Sequence, residues 1–141
     1  MPKADVVREF YTALHDHDWE RLAATMTDDV VRIGMQDTEA DTCRGKARYL
    51  EFVQSVIGRF DHHTMKIVQV FYSADGLHAS AETIEEIRPP GGEMTTFHCL
   101  KAIEINEAGL ITSFNLFQKA PAVPPPPWIT VAAIESGLSA E

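Results

Sequence analysis

The chain has 141 residues, of which 45 % are hydrophobic, and a formal net charge of −9. This length is typical of one domain with its own core. The acidic balance disfavours binding to nucleic acid or to an anionic membrane surface, because both carry the same sign of charge.

Cysteine usage and the N-terminus predict a cytoplasmic protein. Cys43 and Cys99 are the two cysteines and form no CxxC motif, so free thiols in a reducing compartment are expected. The N-terminal "MPKADVVREF" becomes amphipathic almost at once, unlike a signal peptide. No apolar run approaches the about 20 residues that a membrane helix needs.

The first half of the chain predicts three helices and one strand. Apolar residues at helical spacing predict an amphipathic helix over 4–16 and a second short helix over 19–26. The β-branched stretch 30–35 predicts a strand. A third helix is expected over 45–60, after a polar loop.

The second half changes to the alternation of period two that indicates strands. Strands are expected over 64–73, 77–88, 93–105 and 110–118, with turns at "DG", "PPGG" and "NEAG" between them. Helices that precede an antiparallel run favour an α+β fold. We therefore predict a curved, mostly antiparallel sheet that wraps around three N-terminal helices as a cone.

The C-terminal segment differs in composition. Residues 120–141 contain "APAVPPPPW", and consecutive prolines lack the amide donors that a central strand requires. We predict a cone domain over 1–119 and a proline-rich arm over 120–141, with a short helix at its end. The arm is expected to pack on its own cone or on a second subunit.

Three stretches resemble a known family: "VVREFYTALHDHDWERLAATMTDDVV", "RGKARYLEFVQSV" and "INEAGLITSFNLF". They are similar to the SnoaL-like branch of the nuclear transport factor 2-like superfamily. That branch has relatives among polyketide cyclases, ketosteroid isomerases, limonene epoxide hydrolases and proteins that only bind ligands. The resemblance implies a cystatin-like α+β cone with a pocket between helices and concave sheet, which is often a homodimer.

The isomerase positions of the family are not kept as acids. The position of the isomerase base falls on Gly34, and that of the oxyanion-hole acid falls on Lys101. The partner tyrosine falls on Phe10, or on Tyr11 if the match shifts by one residue.

The hydrolase positions are also replaced. They fall on Arg32, on Glu82 and Ile84 of the strand after "DG", and on Leu116 of the last strand. The resemblance therefore implies a changed pocket and assigns no reaction.

The mapping predicts that three charged groups meet inside the cone. Arg32 and Gly34 share one face of the first strand, so Arg32 would bring a cation into the cone while Gly34 widens it. Glu82 and Lys101 would point into the same space and pair, since unpaired buried charge is costly. The catalytic candidates are thus Tyr11, Arg32, Glu82 and Lys101, with a structural ion pair as the alternative.

The rest of the predicted pocket is largely apolar, and its residues are Phe10, Gly34, Ile84, Cys99, Phe114 and Leu116. A one-residue shift of register would exchange Cys99 and Lys101 for His98, because neighbouring side chains face opposite sides of a sheet. Such a lining suits a small hydrophobic ligand with one polar or anionic end.

Three other polar groups are interpreted as solvated. The "HDHD" at 15–18 is expected to form a polar turn, with a metal clip as the disfavoured alternative. The histidines at 62–63 are assigned to a helix terminus, and the glutamates at 85–86 to an exposed strand end.

Two classes of function remain open at this point. One is a SnoaL-like small-molecule enzyme that performs acid–base chemistry without a cofactor or metal, such as isomerisation, cyclisation, dehydration or epoxide opening. Its substrate would be hydrophobic, cyclic compounds included. The other is a non-catalytic protein that binds a ligand or dimerises. A third reading, protein interaction through the "PPPPW" arm, is weaker.

Overall fold

Three helices lie against one sheet in the computed structural model, which describes residues 5–36 and 38–119. The helices are Val6–Asp16 (α1), Trp19–Ala23 (α2) and Lys46–Ser55 (α3). The Asp5 side chain caps α1 by accepting a hydrogen bond from the backbone N–H of Arg8.

Six strands form the sheet, and their order across it is β2-β1-β6-β5-β4-β3. All neighbouring pairs are antiparallel except β1 and β6, which run parallel. The strands are Met26–Ile33 (β1), Thr42–Arg44 (β2), His62–Tyr72 (β3), His78–Arg88 (β4), Thr95–Ile105 (β5) and Ile111–Gln118 (β6).

The core lies between the helices and the concave face of this curved sheet. α1 packs against β3, and α3 packs against β1. The Phe10 ring is buried on α1 and contacts the rings of Tyr49 and Phe114, with centroid distances of 6.0 and 5.0 Å. Burying aromatic side chains of this size contributes much of the stability of a small core.

The predicted α+β cone is confirmed, with local differences. The helices α2 and α3 end at Ala23 and Ser55 rather than at residues 26 and 60. β1 starts at Met26 rather than at residue 30 and ends at Ile33. Residues 42–44, predicted as loop, form the short strand β2 beside β1. Three residues are too few to show an alternation in the sequence.

Part of the domain prediction falls outside the described residues, because the expected arm over 120–141 lies beyond them. Within 5–36 and 38–119, no helix has the length and apolar character needed to span a membrane.

Candidate active site

A cavity of about 50 Å³ lies between α1, α3 and the concave face of the sheet. Its polar lining consists of Tyr11, Arg32, Tyr49, Glu85 and Lys101, and aromatic and aliphatic side chains form the remainder. Pockets for drug-sized ligands measure about 300–1,000 Å³. The cavity therefore has room for a few waters, and an organic ligand must displace lining side chains.

Lys101 places an amine in this cavity, and its side chain is buried on the inner face of β5. Its Nζ donates to Oγ1 of Thr83 and lies 4.8 Å from the centre of the Tyr11 ring. No carboxylate oxygen within 5–36 and 38–119 lies within 4.0 Å of it. Burial lowers the pKa of Lys101, and the nearby charge of Glu85 opposes this effect.

Tyr11 brings a second donor to the same space. Its hydroxyl is buried and has no hydrogen-bond partner among the described residues. Burial also raises the pKa of Tyr11 well above its ordinary value, which keeps the hydroxyl protonated. An unpaired buried donor costs about 1–3 kcal/mol, so this hydroxyl is available for a ligand oxygen.

Glu85 supplies the carboxylate of the cavity. Its side chain is only 17 % exposed, and Oε2 lies 2.7 Å from Nε2 of His63. The His63 side chain is fully buried, and its Nδ1 lies 3.0 Å from Nε2 of His17. Three side chains thus form one row of hydrogen bonds that ends at the cavity.

Arg32 is held at the cavity by Asp41. Its guanidinium donates to the Asp41 backbone oxygen at 3.1 Å and to Oδ1 at 3.3 Å, and it lies over the Phe52 ring at 4.8 Å. A Cβ on Gly34 would overlap the Asp41 carboxylate. The expectation that Gly34 widens the cone is therefore wrong, because the Asp41 carboxylate fills the space.

Replacing Asp41 by alanine is expected to lower the free energy of unfolding by about 2 kcal/mol, because Arg32 would keep a buried charge without its carboxylate partner. Urea denaturation would measure the loss. Glu39→Ala is the matched control, since Glu39 precedes Asp41 by two residues and pairs with Arg44 on the exposed surface. The free energy of unfolding of Glu39→Ala should fall by less than about 0.5 kcal/mol. An equal loss in both variants would contradict the stabilisation of Arg32 by Asp41.

The sequence matches the model of the SnoaL-like domain over residues 7–114. The chain belongs to the SnoaL-like family. No curated protein matches it.

Solved structures share the fold of this SnoaL-like chain. The ketosteroid isomerase of Mycobacterium sp. is 23 % identical, with a TM-score of 0.69, and the match covers 81 % of this chain and 90 % of that one. RV0760c of Mycobacterium tuberculosis, in complex with estradiol-17beta-hemisuccinate, is 22 % identical over 81 % and 91 %, with a TM-score of 0.70. An LEH-like epoxide hydrolase of M. tuberculosis is 23 % identical over 81 % and 80 %, with a TM-score of 0.66. At this identity the likeness establishes the fold alone.

Two residues that the sequence placed in the cone lie on its outer face. Glu82 pairs in register with Leu100, which is exposed, and Ile84 pairs with His98. The Glu82 carboxylate lies 2.5 Å from Nε2 of His98. The prediction that Glu82 and Ile84 face the cavity is therefore wrong, and hydrogen bonding to His98 lowers the pKa of Glu82.

The remaining predicted pocket residues lie on the inner face. Phe10, Phe114 and Leu116 line the cavity together with Tyr11, Arg32 and Lys101. Cys99 is buried beside the cavity, and its Sγ lies 4.0 Å from Sδ of Met35. Burial raises the pKa of the Cys99 thiol, which makes it a weak nucleophile.

Sequence reasoning missed Glu85, His63 and Asp41. Glu85 was assigned to a solvated strand end and His63 to a helix terminus, but both side chains turn inward. The sequence held no clear signal for Glu85, because the residues that share its strand face and are buried, Ala81 and Thr83, are small. Asp41 gave no signal either, since it lies in a 3-10 turn over Glu39–Asp41.

Metal binding gains no support from the described part of the chain. Across 5–36 and 38–119, no three His, Cys, Asp or Glu side chains are placed to hold a metal ion.

Proposed function

We propose that this SnoaL-like protein is an enzyme that performs acid–base chemistry without a cofactor on a small, largely apolar carbonyl compound. The observation that carries the proposal is the unpaired Tyr11 hydroxyl, which lines the same cavity as Lys101 and Glu85. Two donors and one carboxylate in a small cavity with a mostly apolar lining are what enolisation of a carbonyl compound requires.

The roles follow from the chemistry of each group. The Tyr11 hydroxyl and the Lys101 amine donate to the substrate oxygen, where negative charge develops as the enolate forms. Glu85 takes the proton from the adjacent carbon and thus replaces Glu82 as the catalytic carboxylate. The aromatic lining excludes water, which strengthens these electrostatic interactions. Arg32, held by Asp41, keeps positive charge at the wall of the cavity.

Cavity size favours a compact substrate. A volume of about 50 Å³ is far below that of known drug-sized pockets, about 300–1,000 Å³. A five- or six-membered cyclic ketone requires less displacement of the lining side chains than a fused-ring compound does. The substrate class is therefore a small hydrophobic ketone or enone.

Exchange of the α-protons of cyclopentanone for deuterium in D₂O, followed by NMR, tests this proposal without knowledge of the natural substrate. Wild-type protein should accelerate the exchange, and Tyr11→Phe should slow it by about tenfold or more, as loss of a donor to an oxyanion does. Tyr11→Phe should keep its stability, because the lost hydroxyl has no partner among the described residues.

Tyr72→Phe is the matched control for this experiment. The Tyr72 hydroxyl bonds to Asp5 and to the backbone of Val7, away from the cavity lining. This variant should exchange cyclopentanone like the wild type. Wild-type exchange no faster than the buffer, or equal rates for Tyr11→Phe and wild type, would overturn the proposed function.

A binding protein without catalysis is the second candidate. It is favoured by Gly34, which leaves the position of the family's isomerase base without a side chain. Two buried cations, Arg32 and Lys101, suit a ligand with an anionic end, and RV0760c was solved with a steroid hemisuccinate. Native mass spectrometry that finds a retained small molecule, together with no ketone exchange, would favour this candidate.

The proposal includes a cytoplasmic homodimer. Phe71, Leu100 and Phe117 lie exposed on the outer face of the sheet, and exposed apolar patches of this kind favour association. Cys43 and Cys99 are both free thiols, in accord with a reducing compartment.

A further inference from the structure

Lys101 is the buried amine of the cavity, and its surroundings favour the unprotonated form. Its side chain is 3 % exposed, and among the described residues one hydroxyl, that of Thr83, accepts from it. Arg32 lines the same cavity with a permanent positive charge. Burial, together with the charge of Arg32, lowers the pKa of Lys101, while the charges of Glu85 and Cys99 oppose the shift. At neutral pH, Lys101 is therefore unprotonated more often than an exposed lysine is.

An unprotonated amine in a cavity of this kind is a nucleophile. Desolvated lysines attack carbonyl carbons and form Schiff bases in proteins. Tyr11 supplies a donor for the carbonyl oxygen, since its hydroxyl is unpaired among the described residues and its ring centre lies 4.8 Å from the Lys101 Nζ. Glu85 lines the same cavity and supplies a carboxylate that can move protons. A nucleophile, an oxygen donor and a proton carrier thus meet at one site.

We propose that Lys101 forms a covalent Schiff base with the carbonyl carbon of the substrate, an inference that rests on the proposed function for its substrate class, a small ketone. The hydrogen bond from Lys101 to the substrate oxygen brings the amine next to the carbon that it attacks. A protonated imine withdraws electrons more strongly than a ketone does, so the adjacent carbon loses its proton to Glu85 more readily.

The formation of the Schiff base balances at each atom. The Lys101 ammonium gives one proton to Glu85, and the electron pair of Nζ forms a bond to the carbonyl carbon. The π electrons of the carbonyl move to the oxygen, which accepts a hydrogen bond from Tyr11 and then the proton from Glu85. Glu85 takes a second proton from the nitrogen and gives it to the same oxygen, and the C–O bond breaks to release water.

The net reaction needs no further reactant. An ammonium group and a ketone become a protonated imine and one water, and the total charge is unchanged. Hydrolysis reverses these steps with a water from the solvent. The released ketone then carries the oxygen atom of that water, which gives the covalent step a signature that enolisation of the free ketone lacks.

Incubation of cyclopentanone with the protein in water enriched in oxygen-18 tests the covalent step, and mass spectrometry of the ketone measures the exchange. Wild-type protein should accelerate oxygen exchange over the buffer by about tenfold or more, because a positioned amine acts at a high effective concentration. Lys101→Met cannot form an imine, so its exchange should equal that of the buffer. Lys66→Met is the matched control and should match the wild type, since Lys66 is exposed on β3.

Comparison with deuterium exchange of the same ketone separates this inference from the proposed function. Deuterium exchange by the wild type without oxygen exchange above the buffer would overturn the Schiff base and leave the proposed function intact. Oxygen exchange that depends on Lys101 without any deuterium exchange would overturn the proposed function and leave the Schiff base intact. Equal oxygen exchange in Lys101→Met and wild type would refute the assignment to Lys101.

Reduction locates the imine on the chain. Cyanoborohydride transfers hydride to the imine carbon and fixes the substrate as a cyclopentyl group, which mass spectrometry of peptides assigns to one lysine. At neutral pH Lys101 should carry most of the label, because the exposed Lys66 and Lys119 are solvated by water. A label on Lys66 and Lys119 alone would place the imine outside the cavity and overturn the proposal.

Discussion

Glu85→Gln is expected to slow deuterium exchange of cyclopentanone by about 100-fold or more, because general base catalysis contributes about 10²–10⁴-fold to a reaction rate. The substitution retains the shape of the side chain and an oxygen that accepts from His63. It removes only the capacity to take a proton. A structural role in the hydrogen-bond row alone would leave the rate nearly unchanged.

Glu82→Gln is the control for this experiment, since Glu82 lies three residues earlier on β4 and faces outward. It pairs with His98 and Gln69 on the outer face and should exchange the ketone within about twofold of the wild type. Loss of exchange in Glu82→Gln with retention in Glu85→Gln would restore the assignment made from the sequence. Thermal unfolding of both variants would show that each is folded.

Lys101→Met is expected to stabilise the protein by about 1–4 kcal/mol at neutral pH, the range found when buried ion pairs are replaced by well-packed apolar side chains. Lys101 is 3 % exposed, and one hydroxyl, that of Thr83, accepts from it. The same substitution removes a donor to the substrate oxygen, so deuterium exchange should fall by about tenfold or more. A gain in stability with a loss of activity is the pattern of a site that is maintained for function.

The effect of pH on this variant follows from the lowered pKa of Lys101. Burial lowers the pKa below the ordinary value of 10.5, so the folded chain binds this proton less tightly than the unfolded chain does. The stability contributed by Lys101 is complete above 10.5 and is lost as the pH falls through the lowered folded value. The advantage of methionine should thus be largest near pH 7 and shrink as the pH approaches 10.5.

Urea denaturation of wild type and Lys101→Met at pH 7 and pH 10 would measure this difference. Lys66→Met serves as the control, because Lys66 is exposed on β3 and should change stability little at either pH. A destabilised Lys101→Met at pH 7 would mean that the buried amine has a partner strong enough to offset its burial.

The sequence was sufficient for the fold because periodicity and turn residues determine it locally. The change of period after residue 63 and the turns at "DG", "PPGG" and "NEAG" located the four strands β3 to β6 to within two residues. Local patterns of this kind depend on neighbouring residues alone.

The site was harder to predict, because it depends on which face of β4 turns inward. The inward positions Ala79, Ala81 and Thr83 are small, while the larger Ile84 turns outward. The hydrophobicity of β4 therefore does not show which of its faces points into the core. An error of one residue in this assignment moves every side chain of the strand to the opposite face. For this reason the sequence alone places the carboxylate of Glu82, rather than that of Glu85, inside the cone.

Contacts between distant parts of the chain were equally hidden. His17 and His63 are separated by 46 positions, and no local pattern brings a helix terminus next to the start of β3. Their contact depends on the packing of α1 against the sheet, which secondary structure alone does not specify.

The absent side chain at Gly34 has a consequence for a charged group of the cavity. A carboxylate from the neighbouring turn occupies the volume that a side chain at position 34 would use, so any residue other than glycine there would force the Asp41 carboxylate to move. That movement would loosen the hold of Asp41 on the Arg32 guanidinium. The orientation of one charged group in the cavity thus depends on a residue that contributes no side chain to it.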